Sequence, residues 1–300
     1  MRACCSLMSY MLVVASIGLA GQADTTEIRS ALIIKAPPGF PDNIARRDPI
    51  EEAIVEGRWN APRPGESIRY NDTSTGTWEV VQAGPAGWYD HPALEAGYVF
   101  AAVDVKESAS YLLEASGNST VYVNGVPRSG NPYAMKDRYE AWEPRFDYSL
   151  LPMVLHKGRN EFLFHCTRGV LKAHLIRAPR PVFINAKDAT LPDCIVDTSA
   201  DSWGAVVIIN ASSRPLRSLS LQAGVEEQPP RESPVPIIQP LSVRKIAFRI
   251  RSRAFATTGS ARLTLVLRQG AEALDTARLS LRIVSPADPR KETFLSSIDG

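Results

Sequence analysis

The residues that could do chemistry in this chain are few, and their spacing argues against a complete catalytic centre. A serine nucleophile on a strained strand-to-helix turn needs glycine on both sides, Gly-x-Ser-x-Gly, because larger neighbours clash there. The nearest approaches, Gly65-Glu66-Ser67-Ile68-Arg69 and Gly117-Asn118-Ser119-Thr120-Val121, each lack the second glycine, and the latter reads as a turn between strands. Of the histidines, His91, His156, His165 and His174, only His165 and His174, with Cys166 beside the first, invite a metal. Their spacing matches none of the usual paired-ligand patterns. Neighbours on a strand point to opposite faces, so His165 and Cys166 could not reach one ion without a bulge. They read as structural. Asp90, His91 and Asp193 would join a triad only with a serine from elsewhere, and no carboxylate pair stands out among 32 acidic residues for glycosidase work. No catalytic residue, metal or cofactor is assigned.

Binding is better represented than catalysis. Between Arg128 and Arg145, Tyr133, Tyr139 and Trp142 offer flat faces on which a sugar ring could stack, while Asn131, Asp137 and Glu140 could hydrogen-bond its hydroxyls. The same aromatics could instead cap the end of a sandwich or contact a following domain. Arg249, Arg251 and Arg253 alternate with Phe248, Ile250 and Ser252, which makes one face of that strand basic. A solvated edge protected by charge explains this, with an anionic partner as the alternative. Asn71-Asp72-Thr73, Asn118-Ser119-Thr120 and Asn210-Ala211-Ser212 match the pattern for N-glycosylation.

The elements that must position these groups are strands. Val121 and Val123 alternate with polar residues, and Asn124-Gly125 supplies the two positive-φ positions of a tight hairpin. After the turn Lys157-Gly158-Arg159-Asn160, Glu161 to Phe164 begins a strand that is apolar on both faces and so belongs inside a sandwich. Strands are also expected at 31–35, 77–81, 98–105 and 111–114, with a short helix over 49–57 whose Ile50, Ala53 and Ile54 face one way. Beyond Pro179-Arg180-Pro181, segments at 182–185, 203–210, 216–223, 244–250, 261–268 and 277–284 repeat at the even spacing of an immunoglobulin-like sandwich. The expected fold class is all-β, a jelly-roll sandwich over 24–178 followed by a smaller immunoglobulin-like sandwich over 179–286.

The run Val-Tyr-Val-Asn-Gly, then Phe-Asp and a hydrophobic stretch, then Lys-Gly-Arg-Asn before an apolar strand, resembles the galactose-binding-type jelly roll that precedes catalytic domains in many secreted hydrolases. The likeness covers residues 95 to 177. The ending Ser296-Ser297-Ile298-Asp299-Gly300 resembles the first strand and turn of the α/β-hydrolase module of secreted esterases and prolyl-oligopeptidase-like proteins, with 287–300 as linker or module start. Together the resemblances imply a non-catalytic forward region of a serine hydrolase, its partner a C-terminal hydrolase domain or a polysaccharide. The alternative is a free-standing carbohydrate-binding protein.

Composition sets the remaining bounds. A formal net charge of +2 gives no electrostatic case for nucleic acid. Arg2, the apolar run Met11 to Ala20 and the small residues after it read as a signal peptide over 1–23, too short for a membrane span, so a secreted or periplasmic location is expected. Cleavage would leave Cys166 and Cys194. In an oxidising compartment they could form a disulfide between the sandwiches, or stand as separate buried thiols.

Overall fold

A computed structural model describes residues 25–37, 48–132, 149–226 and 228–287. The first part contains β1 (Thr25–Glu27), β2 (Ser30–Lys35), α1 (Pro49–Val55), β3 (Ser67–Arg69), β4 (Thr75–Thr77), β5 (Glu79–Gln82), β6 (Trp88–Asp90), β7 (Gly97–Val105), β8 (Ala109–Ser116), β9 (Asn118–Val123), β10 (Val126–Asn131), β11 (Leu150–Leu155), β12 (Gly158–Cys166) and β13 (Val170–Arg177). One sheet runs β1-β13-β8-β11, with β6 also on β13, and the facing sheet runs β10-β9-β12-β7-β2-β5. Their inner faces enclose a core that includes Tyr89, Val99, Leu113, Val121, Phe162, Phe164 and Leu175. This is the jelly-roll sandwich.

Strand β12 shows why the sequence folds this way. Phe162 and Phe164 enter the main core, while Leu163 points to the other face and joins Ile34, Ile50, Trp78, Tyr98 and Phe100 in a second apolar cluster. That outer cluster is roofed by α1, whose cap Asp48 accepts from the Ile50 amide at 2.9 Å and from the Tyr98 hydroxyl at 2.8 Å. Proline at the first helical turn and Glu51 and Glu52 behind it suit the helix start. Asn124 (φ 50°) and Gly125 (φ 80°) adopt the expected left-handed turn between β9 and β10. The strand expected over 77–81 is instead two short ones, β4 and β5, broken at Trp78, whose side chain turns into the outer cluster.

The second part contains β14 (Val182–Thr190), β15 (Cys194–Ile195), β16 (Ala200–Asn210), β17 (Leu219–Val225), β18 (Arg231–Val235), β19 (Ser242–Ser252), β20 (Gly259–Gln269) and β21 (Glu272–Val284). Sheets β14-β16-β19 and β15-β21-β20-β17-β18 pack face to face around Val206, Ile208, Leu221, Phe248, Leu263, Leu265 and Leu281. This is the smaller, immunoglobulin-like sandwich. The turn expected at Gln269 to Glu272 closes β20 on β21, with Gly270 at φ 58°.

The two sandwiches meet along an apolar seam. Leu112 of β8, with Leu150 and Ile176 beside it, projects from the outer face of the first sandwich against Phe183, Val207, Ile209 and Ala211 of the second. Arg128 spans the same junction from β10, donating to the Pro152 carbonyl at 3.0 Å and to the Leu241 carbonyl at 2.7 Å. Burial holds its pKa below the usual arginine range.

Candidate functional site: the groove between the sandwiches

The described surface is concave where the seam ends. There a groove of about 320 Å³ opens between the end of β10, the start of β11 and the outer face of β14-β16-β19. One wall is made by Ser129, Asn131 and Ser149, the other by Asn185, Asp188 and Val243. Asn131 is placed by backbone pairing with Asn118 across β10 and β9, and its carbonyl accepts from the Gly117 amide at 2.8 Å. Gly130 is required for that approach, since a Cβ there would stand 2.2 Å from the Asn118 carbonyl oxygen. Asn185 accepts from the Lys187 amide at 3.2 Å, and Asp188 is bonded to the Lys245 ammonium at 2.7 Å. The wall therefore carries amides and hydroxyls over an apolar floor, with its one lining carboxylate already paired.

The lining holds the Ser129 and Ser149 hydroxyls and no histidine. Among the described residues no three His, Cys, Asp or Glu side chains gather as metal ligands. Behind the groove, Asn118 is fully buried, and its Oδ1 has no hydrogen-bond partner among the described residues. It borders a void of about 10 Å³, the size of one water.

The predicted sugar-stacking residues Tyr133, Asp137, Tyr139 and Trp142, together with Glu140, lie outside the described residues, as do the signal peptide and Ser296 to Gly300. Asn131, expected beside them, is at the groove. Three of the histidines take structural places. His165 stacks on Tyr98 with ring centroids 4.7 Å apart, on the opposite face of β12 from Cys166, and the pairing of β12 with β9 shifts register between the two. His174 sits 2.7 Å from the Glu114 carboxylate, and His91 caps the short turn at Pro92–Glu95 by accepting from the Ala93 amide. Asp193 is paired with Arg282.

The disulfide raised between Cys166 and Cys194 is absent: both are free thiols, one in each core. Burial pushes the Cys166 thiol up, and burial also raises Cys194 against an opposing hydrogen bond from Ser252. A bridge needs the two Cα atoms within about 7 Å, and side chains committed to separate cores do not meet. Two of the three glycosylation patterns are likewise closed, because Asn118 and Asn210 are fully buried, the latter donating to the Arg214 and Gln239 carbonyls. Asn71 alone of the three is exposed.

The basic strand face is at the surface. Arg249 lies over the Trp203 ring, 5.1 Å from its centroid, Arg251 is 3.8 Å from Asp201, and Arg253 lies 5.7 Å from the Phe255 ring centroid. The sequence pattern marks 203–210 as a strand without singling out Trp203. The alternation with Gly204 was the available signal: Gly204 faces Phe248 in the core, where a Cβ would stand 2.6 Å from the ring, so Trp203 must face out.

No family model matches the chain, and no curated protein matches it. Among solved structures, it is similar to a GH2 beta-galacturonidase from Eisenbergiella tayi (11% identity, TM-score 0.35, 86% of this chain and 43% of that one). It is also similar to a Ruminococcus gnavus beta-glucuronidase (11%, 0.34, 88% and 45%) and a beta-D-mannosidase from Dictyoglomus thermophilum (11%, 0.33, 86% and 36%). The chain spans less than half the length of each of these proteins.

Proposed function

We propose that this chain is the non-catalytic forward region of a secreted hydrolase, a paired-sandwich block that positions the enzyme or its substrate. The seam carries this reading. A spacer that fixes the place of a neighbouring module must itself be stiff, and the apolar cluster around Ile209 with the Arg128 bridge joins two sandwiches into one block. The module that follows is, on this reading, a serine hydrolase of the esterase or peptidase kind, in keeping with the Ser296 to Gly300 resemblance. The test is the coding DNA past Gly300, joined to labelling of the natural secreted protein with an active-site fluorophosphonate. An open frame with a nucleophile elbow and a labelled product is expected. A stop codon and no labelling would overturn the reading.

The groove favours a second reading, a carbohydrate-binding protein. Amide and hydroxyl groups converge there over an apolar floor, the lining that holds a polar ring by its faces and edges. Retention of the chain on glycan beads, lost on Trp142→Ala or Asn131→Ala, is the outcome that reading requires.

A further inference from the structure

The outer face of β14-β16-β19 continues past the groove, and its far end is a second surface. Strand β16 presents Trp203 and Ala205 there, and β19 presents Lys245, Ala247, Arg249 and Arg251 beside them, with Trp203 directly opposite Arg249 and Ala205 opposite Ala247. Trp203 is 59% exposed; it lies beyond the end of β14, whose pairing with β16 stops at Ala205, and is paired on β19 alone. One face of its ring is occupied by the Arg249 guanidinium, so the exposure lies on the remaining face and edge. Next to the ring the two alanines keep the sheet face low, and beyond them Val207, opposite Lys245, and Val243 line the groove. From Trp203 to Val207 the strand advances about 13 Å, the reach of two to three linked sugar rings.

Charge identifies the occupant. Lys245 is engaged by Asp188 at 2.7 Å and Arg251 stands 3.8 Å from Asp201, but Arg249 has no carboxylate within ion-pair distance among the described residues. Its neighbour is the aromatic ring, which holds it in place without neutralising it. An open indole face beside a fixed, uncompensated guanidinium matches a flat apolar ring face bearing a carboxylate. We infer that this platform binds a carboxylated polysaccharide, a chain of uronate rings stacking on Trp203 with a carboxylate on Arg249 and extending toward the groove. An acidic peptide fits less well. It would add along the edge of β19, where the Arg249 amide is already spent on the Ser233 hydroxyl at 3.0 Å. The inference stands whether or not a hydrolase module follows.

The test uses the full chain and four probes: polygalacturonate, its fully methyl-esterified form, poly-glutamate and neutral dextran. Calorimetry and tryptophan fluorescence should show binding of polygalacturonate that weakens as sodium chloride is raised to 0.5 M, with little binding of the ester or dextran. Trp203→Ala and Arg249→Gln should each weaken it about tenfold. Both positions are exposed, so the melting temperature should hold within about 2 °C and exclude misfolding as the cause. Equal binding of poly-glutamate would make the site an acidic-peptide site and overturn the inference. So would unchanged affinity in both variants, no binding of any probe, or a self-association in sedimentation that Trp203→Ala abolishes.

Discussion

One strand face in this protein is two different surfaces. Along the outer side of β16, Ile209 and Val207 are sealed under the first sandwich, while Trp203 and Asp201, a few pleats away, stand in solvent. The inner side is buried throughout its apolar length, so the strand is greasy on both faces at one end and alternating at the other. The difference teaches that burial of the outer side is set by where Leu112, Ile176 and Phe183 stop, not by the strand's own residues.

The sharpest way to break this comparison is one substitution made twice. Ile209→Asp puts an unpaired carboxylate into the sealed end and should remove about 4 kcal/mol of stability, whereas Trp203→Asp should change it by less than about 1 kcal/mol. Urea titration of both variants measures the gap, and equal losses would mean that the two ends are not distinct. Next in size, Arg128→Met should cost about 2 kcal/mol by leaving two carbonyls without their charged donor. Calorimetry should then resolve two unfolding transitions for this variant and one for the native protein.

The third prediction concerns pH. Burial raises the pKa of Tyr89, Tyr98 and Cys166, all in the first sandwich, with Asp48 adding to the effect on Tyr98. The unfolded chain therefore loses these protons before the folded one does. Their contribution to stability is whole below about pH 8.5 and falls as pH rises, by about 2 kcal/mol at pH 10. If the seam couples the sandwiches, the second should unfold with the first in alkaline titration although its one described group with a raised pKa is Cys194. Separate transitions would show the coupling to be weak.

Much of the fold was legible because the strongest signals are local. The Asn124-Gly125 turn, the two-faced Phe162-Leu163-Phe164 and the run from Trp203 to Asn210 each state their environment within a few residues. Strand β18 was not legible: Pro234 interrupts its pattern, and it is tolerated because β18 is the edge of its sheet. Two-residue β15 offers no pattern to read. The basic face of β19 and the outward set of Trp203 could be read from alternation, but the groove could not. It is made by where the first sandwich ends on the second, a contact between residues distant in sequence.

The placement of β12 and β13 bears on how the protein is made. Strand β13 is the partner of β1, β6 and β8, and β12 joins β7 to β9, so the strands that complete both sheets of the first sandwich are its last to be synthesised. At about 5–20 residues per second, roughly 10–30 s separate the emergence of Thr25 from that of Arg177. Through that interval the early strands wait with open edges and uncovered apolar faces, and the nascent chain is then at its most vulnerable to aggregation.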